Sequence, residues 1–219
     1  MSLTVGLRYD QIFDLTAFEI DSAQRQSQFY FNVSPRIGLV NRTWKSWTFK
    51  DFFGQGFLQP PPAIKYRQSG TFTFNQNDNT FISNFWSLPN PALGPERNNA
   101  LEASARYSKG DFTASINGYF SRLRNAWITE RRSDSTTFVG VTITDWERTI
   151  NNPETQYFYG TTCNLAYRMV FGAEEQFKIQ IKTSYSYSNG ALSSGLNIPF
   201  TAAHKAKARL QKAQYNISW

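Results

Sequence analysis

Polar and apolar side chains alternate along most of this chain, which is the period of a β-strand. In the clearest stretch, 177–187, one face is apolar or aromatic: Phe177, Ile179, Ile181, Tyr185 and Tyr187. The other face is polar or cationic, so the strand separates two different environments. In a soluble β-sandwich the apolar face covers a core, whereas in a membrane β-barrel it contacts lipid and the polar face lines the lumen.

The same alternation predicts about eight strands, at 3–9, 29–41, 47–57, 101–107, 112–120, 157–169, 177–187 and, more weakly, 204–219. The predicted connections alternate in length. Short turns near 42–46, 109–111 and 171–176 alternate with long polar stretches near 10–28, 58–98, 131–156 and 189–203. Outer-membrane barrels have short periplasmic turns and long extracellular loops. We therefore predict an all-β antiparallel meander that is part of a transmembrane β-barrel, rather than a soluble sandwich.

A barrel assigns each face of a strand to lipid or to the lumen. The residues expected to face lipid are Ile179, Ile181, Tyr185, Ala103, Ala105 and Ile116. Those expected to face the lumen are Lys178, Lys182, Arg106 and Asn117. Aromatic residues near predicted strand ends indicate the girdles that anchor barrels at the membrane interfaces: Trp44, Trp47, Tyr107, Trp127 and Trp219.

Composition agrees with this interpretation. Aromatic residues make up 16% of the chain and charged residues 18%, yet the mean hydropathy is −0.49, so apolar residues are dispersed among polar ones. The chain contains no run of about 18 apolar residues, so the sequence predicts no transmembrane helix. The net charge of +7 suits lipid head groups or acidic ligands. Motifs for binding nucleic acid are missing, and we predict no nucleic-acid partner.

Candidate chemistry is sparse. His204 is the only histidine, and the only cysteine, Cys163, lies on an apolar strand face, so we predict no catalytic residue, metal site or cofactor. The stretch 58–98 and its exit combine cations with aromatics, which suits an anionic, partly aromatic ferric chelate. The candidate ligand-binding residues are Lys65, Tyr66, Arg67, Phe85, Trp86 and Arg97. Two alternatives stay open: a self-packed loop, and binding of lipopolysaccharide phosphates by outward-facing Lys and Arg.

Four motifs resemble those of TonB-dependent outer-membrane receptors, in family order. They are SPRIGLV at 34–40, GQGFLQP at 54–60, NPALGPE at 90–96 followed by Leu101-Glu102, and Ile198-Pro199 with His204. The similarity covers nearly the whole chain and places it in the C-terminal part of the receptor barrel. Proline within these motifs cannot donate to a strand ladder and so ends pairing.

The resemblance implies a 22-stranded barrel closed by a plug domain. Such receptors import scarce nutrients, usually ferric siderophores or cobalamin, with energy delivered by TonB. It implies a multi-pass protein of the cell outer membrane, whose partners are lipid, lipopolysaccharide, the plug and TonB. We expect residues 1–219 to be one partial barrel segment without the plug, and therefore no ladder between 3–9 and 206–217. The alternative is a complete small barrel with a structural or adhesive role.

Overall fold

The computed structural model describes residues 1–16, 26–42, 44–77, 79–138, 141–171, 177–198 and 203–214. The strands are β1 Ser2–Thr16, β2 Gln26–Asn41, β3 Trp47–Leu58, β4 Ser69–Asn75, β5 Thr80–Leu88, β6 Glu96–Lys109, β7 Phe112–Arg124, β8 Trp127–Arg132, β9 Thr136–Phe138, β10 Val141–Ile143, β11 Trp146–Asn151, β12 Gln156–Phe171, β13 Phe177–Leu192 and β14 His204–Gln214. One short helix, α1, spans Pro62–Lys65. Within these described ranges, no helix is long and apolar enough to cross a membrane.

Eight strands form one antiparallel sheet in the order β1-β2-β3-β6-β7-β12-β13-β14, which we call the wall sheet. Its strands range from 11 residues in β14 to 16 in β12 and β13. A tilted strand needs about 9–11 residues to cross the hydrocarbon layer, whereas strands of soluble proteins average about 5–6 residues. The predicted meander of eight long strands is confirmed.

The cross-strand register gives the wall sheet two distinct faces. One row of directly opposed residues runs Phe53, Leu101, Phe120, Tyr159. Residues on this face are apolar and exposed; Val5 is 68% exposed and Phe31 63%. The residues predicted to face lipid share this face, and those predicted to face the lumen lie on the other, since Ala105 opposes Ile116 while Ser104 opposes Asn117.

The polar face carries the chain that connects β3 to β6. Lys65 of this connection contacts Asp14 of β1, and the Tyr30 hydroxyl of β2 donates to the Leu93 carbonyl oxygen. On the same face Asn32 and Ser34 are only 5% and 2% exposed. A polar, partly irregular segment cannot lie against lipid, because hydrocarbon offers its backbone no hydrogen bonds. The covered polar face is therefore the lumenal face.

The predicted long loops are more ordered than the sequence indicates. A second sheet, the rim sheet, has the order β4-β5-β11-β8, and β9 pairs with β10. Long connections were predicted at 58–98 and 131–156, and the chain does connect β3 to β6 and β7 to β12 there, but the sequence did not predict the strands that these connections contain. The loop expected at 10–28 is too long, because β1 continues to Thr16 opposite Gln26 of β2. Alternation persists there, with Ile12 opposite Tyr30 and Phe13 opposite Phe29.

Turns and aromatics behave largely as predicted at the short-turn end of the wall. Gly110 has φ of +55° directly after β6, as a two-residue hairpin turn with glycine first requires. Aromatic rings contact one another across β3, β6 and β7 with centroids 5.1–6.2 Å apart: Trp44, Trp47, Phe49, Tyr107 and Phe112. Trp127 differs from the girdle prediction, because its indole Nε1 donates to the Gly94 carbonyl beside the rim sheet. Trp219 lies outside the described residues.

The wall sheet has two edges. In the described part of the chain, β1 pairs only with β2 and β14 only with β13. The ladder between 3–9 and 206–217 is absent there, as expected.

Candidate functional site

Lys65 is the most enclosed charged residue among those described. Three prolines at 60–62 precede it, and Pro62 begins α1, where a missing backbone N–H costs nothing. The Lys65 side chain is 1% exposed, and its Nζ donates to Asp14 Oδ2 at 2.6 Å and to the Tyr30 hydroxyl at 3.3 Å. The Tyr66 hydroxyl donates to the same carboxylate oxygen at 3.0 Å. We call Asp14, Tyr30, Lys65 and Tyr66 the latch.

The latch keeps its lysine charged. Burial lowers the pKa of Lys65, but hydrogen bonds to Asp14, Tyr30 and Tyr66 together outweigh burial, and the net effect raises it above its ordinary value of 10.5. The Nζ also lies 5.4 Å from the ring centroids of both tyrosines, which stabilises the cation further. The latch therefore fastens the β3–β6 connection to the lumenal face of β1 and β2. In this arrangement the Lys65 charge is directed to Asp14 rather than to solvent.

Phe85 and Trp86 lie on β5, in the middle of the rim sheet. Trp86 is opposite Trp146 of the parallel neighbour β11 and opposite Gly70 of β4. A Cβ at Gly70 would lie 2.2 Å from the Trp86 ring, so only glycine leaves room for the indole. Phe72 contacts the same ring with centroids 5.1 Å apart. Trp86 is thus packed inside the sheet, as in the self-packed alternative.

Three arginines of β8 and β11 cover these aromatic rings. Arg131 lies 5.2 Å from the Phe85 centroid, and Arg132 and Arg148 lie 5.9 and 5.6 Å from that of Trp146. The rim cations are paired with acids. Arg131 is 3.2 Å from Asp145, and Glu130 is 2.6 Å from Arg132 and 3.9 Å from Arg148. Glu130 raises the pKa of Arg132 further.

Sequence reasoning missed these rim residues. Arg131, Arg132, Trp146 and Arg148 were expected to lie in a loop. The available signal is the similar composition of two short stretches, WITERR at 127–132 and WERTIN at 146–151, each of which begins with Trp and contains Ile, Thr, Glu and Arg. These two strands pair with each other in antiparallel register.

The structure groups the predicted ligand-binding residues unevenly. Lys65 and Tyr66 belong to the latch, whereas Phe85 and Trp86 belong to the rim sheet. Arg67 is exposed just after α1. Asn98 accepts a hydrogen bond from the Ser121 hydroxyl on the lumenal face. Arg97 is the preceding residue of the same strand, so its side chain projects from the outer face. Ligand contact by these six residues stays a prediction.

The lumenal face of β13 and β14 is cationic. Directly opposed pairs on it are Lys182 with Arg209, Ser184 with Lys207, and Ser186 with Lys205. Lys182, Ser184, Lys207 and Arg209 border a shallow depression of about 260 Å³ together with Asn164 of β12. The four cations of this surface are Lys182, Lys205, Lys207 and Arg209, and within the described ranges none of them forms an ion pair. Their positive charge is therefore available to an anion in the lumen.

Metal and nucleophile chemistry has little support in this structure. The described residues contain no group of three His, Cys, Asp or Glu side chains placed to hold a metal ion. The ring Nδ1 of His204 lies 2.7 Å from the Tyr185 hydroxyl on the outer face. What the described surface offers is charge and aromatic area, which are properties of binding.

Comparison with known proteins identifies the family to which this architecture belongs. All of residues 1–219 match the family described as TonB dependent receptor-like, beta-barrel. The chain belongs to this family. TonB-dependent receptors reside in the outer membrane, so the lipid-facing and lumenal surfaces of the wall sheet follow from the family as well as from the pattern. No curated protein is significantly similar to the chain in sequence.

Solved structures of this receptor class share the fold. The FrpB iron transporter from Neisseria meningitidis aligns with a TM-score of 0.51 and 16% identity, over 89% of this chain and 24% of FrpB. The ferric enterobactin receptor PfeA from Pseudomonas aeruginosa aligns with a TM-score of 0.50 and 14% identity, over 97% of this chain and 35% of PfeA. The chain therefore spans about a quarter to a third of the length of these two receptors.

Proposed function

We propose that the chain forms part of the barrel wall of a TonB-dependent receptor that imports a scarce nutrient as an anionic metal chelate, such as a ferric siderophore. The observation that carries this proposal is the charge of the lumenal face. Its described cations include Arg36, Lys50, Arg106, Lys182, Lys205, Lys207 and Arg209, and its acids are few: Asp10, Asp14, Glu96 and Glu102. A cationic lumen concentrates anions and speeds their entry.

The rest of the receptor is part of the same proposal. Two unpaired strand edges cannot persist in hydrocarbon, because their backbone groups would have no partners. The edges of β1 and β14 are therefore expected to pair with further strands of a larger barrel. Residues 1–219 act as one wall segment in this proposal, and the plug domain and TonB are its partners. The names of the two similar structures, an iron transporter and a ferric enterobactin receptor, agree with a ferric chelate as cargo.

Uptake by the complete receptor tests the proposal. In Lys182→Gln/Lys205→Gln/Lys207→Gln, the initial rate of uptake of an anionic ferric chelate is expected to fall about tenfold at low ionic strength. Added salt should shrink the difference, because it screens the wall charges. The matched control is Lys109→Gln/Arg122→Gln/Arg124→Gln, which removes the same charge from the outer face. Equal uptake by wild type and the lumenal variant, or an equal loss in the control, contradicts the proposal.

A further inference from the structure

One acid lies on the outer, lipid-facing side of the wall sheet within the described residues. Asp51 of β3 directly opposes Leu39 of β2 on one side and Ala103 of β6 on the other. Along β3, its neighbours on the same face are Phe49 and Phe53. The alternation of the wall strands places apolar side chains at positions of this kind, so Asp51 departs from the pattern on which the wall is built.

Asp51 lies deep within the apolar band of the wall. Trp47, which opposes Tyr107, belongs to the aromatic group at the short-turn end. Asp51 follows Trp47 by four residues, which is about 14 Å along a strand and about 10 Å along the membrane normal for a strand tilt of about 40°. The apolar band of an outer-membrane barrel is about 25 Å tall, so the carboxylate lies near its middle.

The described part of the chain gives Asp51 no compensating cation. Its side chain is exposed and takes part in none of the ion pairs between described residues. Lys50, the adjacent residue, projects into the lumen, where it opposes Ser104. A strand added beyond β1 would lie three strand spacings from β3, about 14 Å, too far for an ion pair across two intervening strands. Because charged residues inside membranes are costly and are almost always paired or directed to water, the partner of Asp51 is expected on another protein.

The surface beside Asp51 forms a shallow groove. Its floor is one cross-strand row of small residues, in which Ala103 opposes Gly118 and Gly118 opposes Thr161. Larger side chains border this floor two positions along each strand on either side: Phe49, Phe53, Leu101, Ile116 and Phe120. The two bordering rows are four residues apart, about 14 Å, and an α-helix with its side chains is about 10–12 Å wide. We call Asp51 and this floor the acid groove.

We propose that the acid groove is a docking site, within the membrane, for a segment of another membrane protein that carries a lysine or arginine at the depth of Asp51. The charge defines the occupant, because an apolar segment would leave the carboxylate uncompensated and an acidic one would add repulsion. A second copy of the same surface does not fit, since the described residues of the groove and its borders include no lysine or arginine. Small floor residues allow the backbone of the partner to approach closely. The proposal rests on the outer-membrane location of the family and is independent of the imported nutrient.

Binding of synthetic transmembrane peptides by the complete receptor in phospholipid vesicles tests the site. The peptides are leucine-rich helices that differ only in their central residue, which is lysine, leucine or glutamate, and energy transfer between labelled receptor and labelled peptide measures association. We expect the lysine peptide to bind about tenfold more tightly than the leucine peptide, and the glutamate peptide to bind no better than the leucine peptide. Asp51→Asn should abolish the preference, because the amide retains the size of the side chain but not its charge. Asp51→Lys should transfer the preference to the glutamate peptide.

Glu102→Gln is the matched control, because Glu102 opposes Phe52 and its loss removes an acid from the lumenal face instead. This variant should keep the preference for lysine. Ala103→Leu raises the floor beside the acid and should weaken binding of the lysine peptide about threefold or more. The proposal is overturned if the wild type binds the lysine and leucine peptides equally, if Asp51→Asn keeps the preference, or if Glu102→Gln loses it. Unchanged binding in Ala103→Leu is also contrary, because the segment would then lie outside the groove.

Stability without any peptide gives an independent measurement. In phospholipid vesicles Asp51→Leu should need more urea to unfold than the wild type, because the substitution removes an uncompensated charge from hydrocarbon. Bound lysine peptide should reduce this difference by stabilising the wild type alone. A wild type as resistant to urea as Asp51→Leu, with no peptide present, would show that the carboxylate is not in hydrocarbon and would overturn the proposal. Nutrient uptake does not enter either measurement.

Discussion

Lys65→Met tests whether the latch holds the β3–β6 connection against the lumenal face. Methionine retains most of the volume of lysine but removes the charge that lies 2.6 Å from Asp14. Breaking a buried ion pair by removing one partner costs about 3–5 kcal/mol, since the other charge stays desolvated. The Asp14 side chain is 14% exposed and keeps the Tyr66 hydroxyl at 3.0 Å, which favours the lower end, about 3 kcal/mol.

A loss of about 3 kcal/mol raises the open fraction of the connection roughly a hundredfold. Hydrogen exchange of residues 62–66, read by mass spectrometry in detergent, measures this fraction directly. Lys50→Met is the matched control, because Lys50 is exposed on the same lumenal face and the described residues give it no ion pair.

The double variant Asp14→Asn/Lys65→Met separates charge from packing. If the cost arises from the stranded carboxylate, the double variant should recover much of the protection lost in Lys65→Met. Exchange at 62–66 that is no faster in Lys65→Met than in Lys50→Met would refute the latch. Strictly additive losses in the double variant would show that the ion pair is not the cause.

Three further predictions concern the wall, the rim and pH. Ile116→Arg should destabilise the barrel by about 2–4 kcal/mol in urea-titrated folding into vesicles, whereas Asn117→Arg, one residue along on the lumenal face, should cost much less; equal costs would contradict the assigned faces. Gly70→Ala should cost about 1–3 kcal/mol by displacing the Trp86 indole and should alter tryptophan fluorescence, while Gly6→Ala, whose new Cβ would meet nothing closer than 3.9 Å, should be near neutral. The raised pKa of Lys65 means that its stabilising effect is complete below 10.5 and is lost only as pH rises through the higher folded value. Protection of 62–66 from an alkaline-active protease should therefore stay constant from neutral pH to about pH 10 and weaken above it.

The wall could be predicted from the sequence because each wall strand separates lipid from an aqueous lumen. Because of that difference, apolar and polar residues alternate along segments such as 101–107, and this alternation does not depend on contacts distant in sequence. The rim sheet gives a weaker signal, because its strands are shorter: seven residues in β4 and six each in β8 and β11. Its parallel pairing of Trp86 with Trp146 joins residues 60 positions apart, which no local pattern reports.

Candidate binding residues were harder to assign, because their contacts also involve residues that are far apart in sequence. Cations and aromatics at 65–97 predicted ligand contact from composition alone. The contact of Lys65 with Asp14, 51 residues away, lies in a segment that was expected to be a loop, so the sequence did not predict it. Arg97 follows the alternation of β6 and projects outward, a consequence of strand register that becomes visible only once β6 is known to begin at Glu96.

The parallel ladder between β5 and β11 makes two long connections of this chain structurally dependent on each other. A parallel pair cannot be made by one hairpin, so the connection after β3 and the connection after β7 must each supply a strand of matching register. Removing β5 or β11 alone would leave the other strand without this parallel neighbour. We therefore expect 59–95 and 125–155 of this chain to be replaceable only together, as one structural unit.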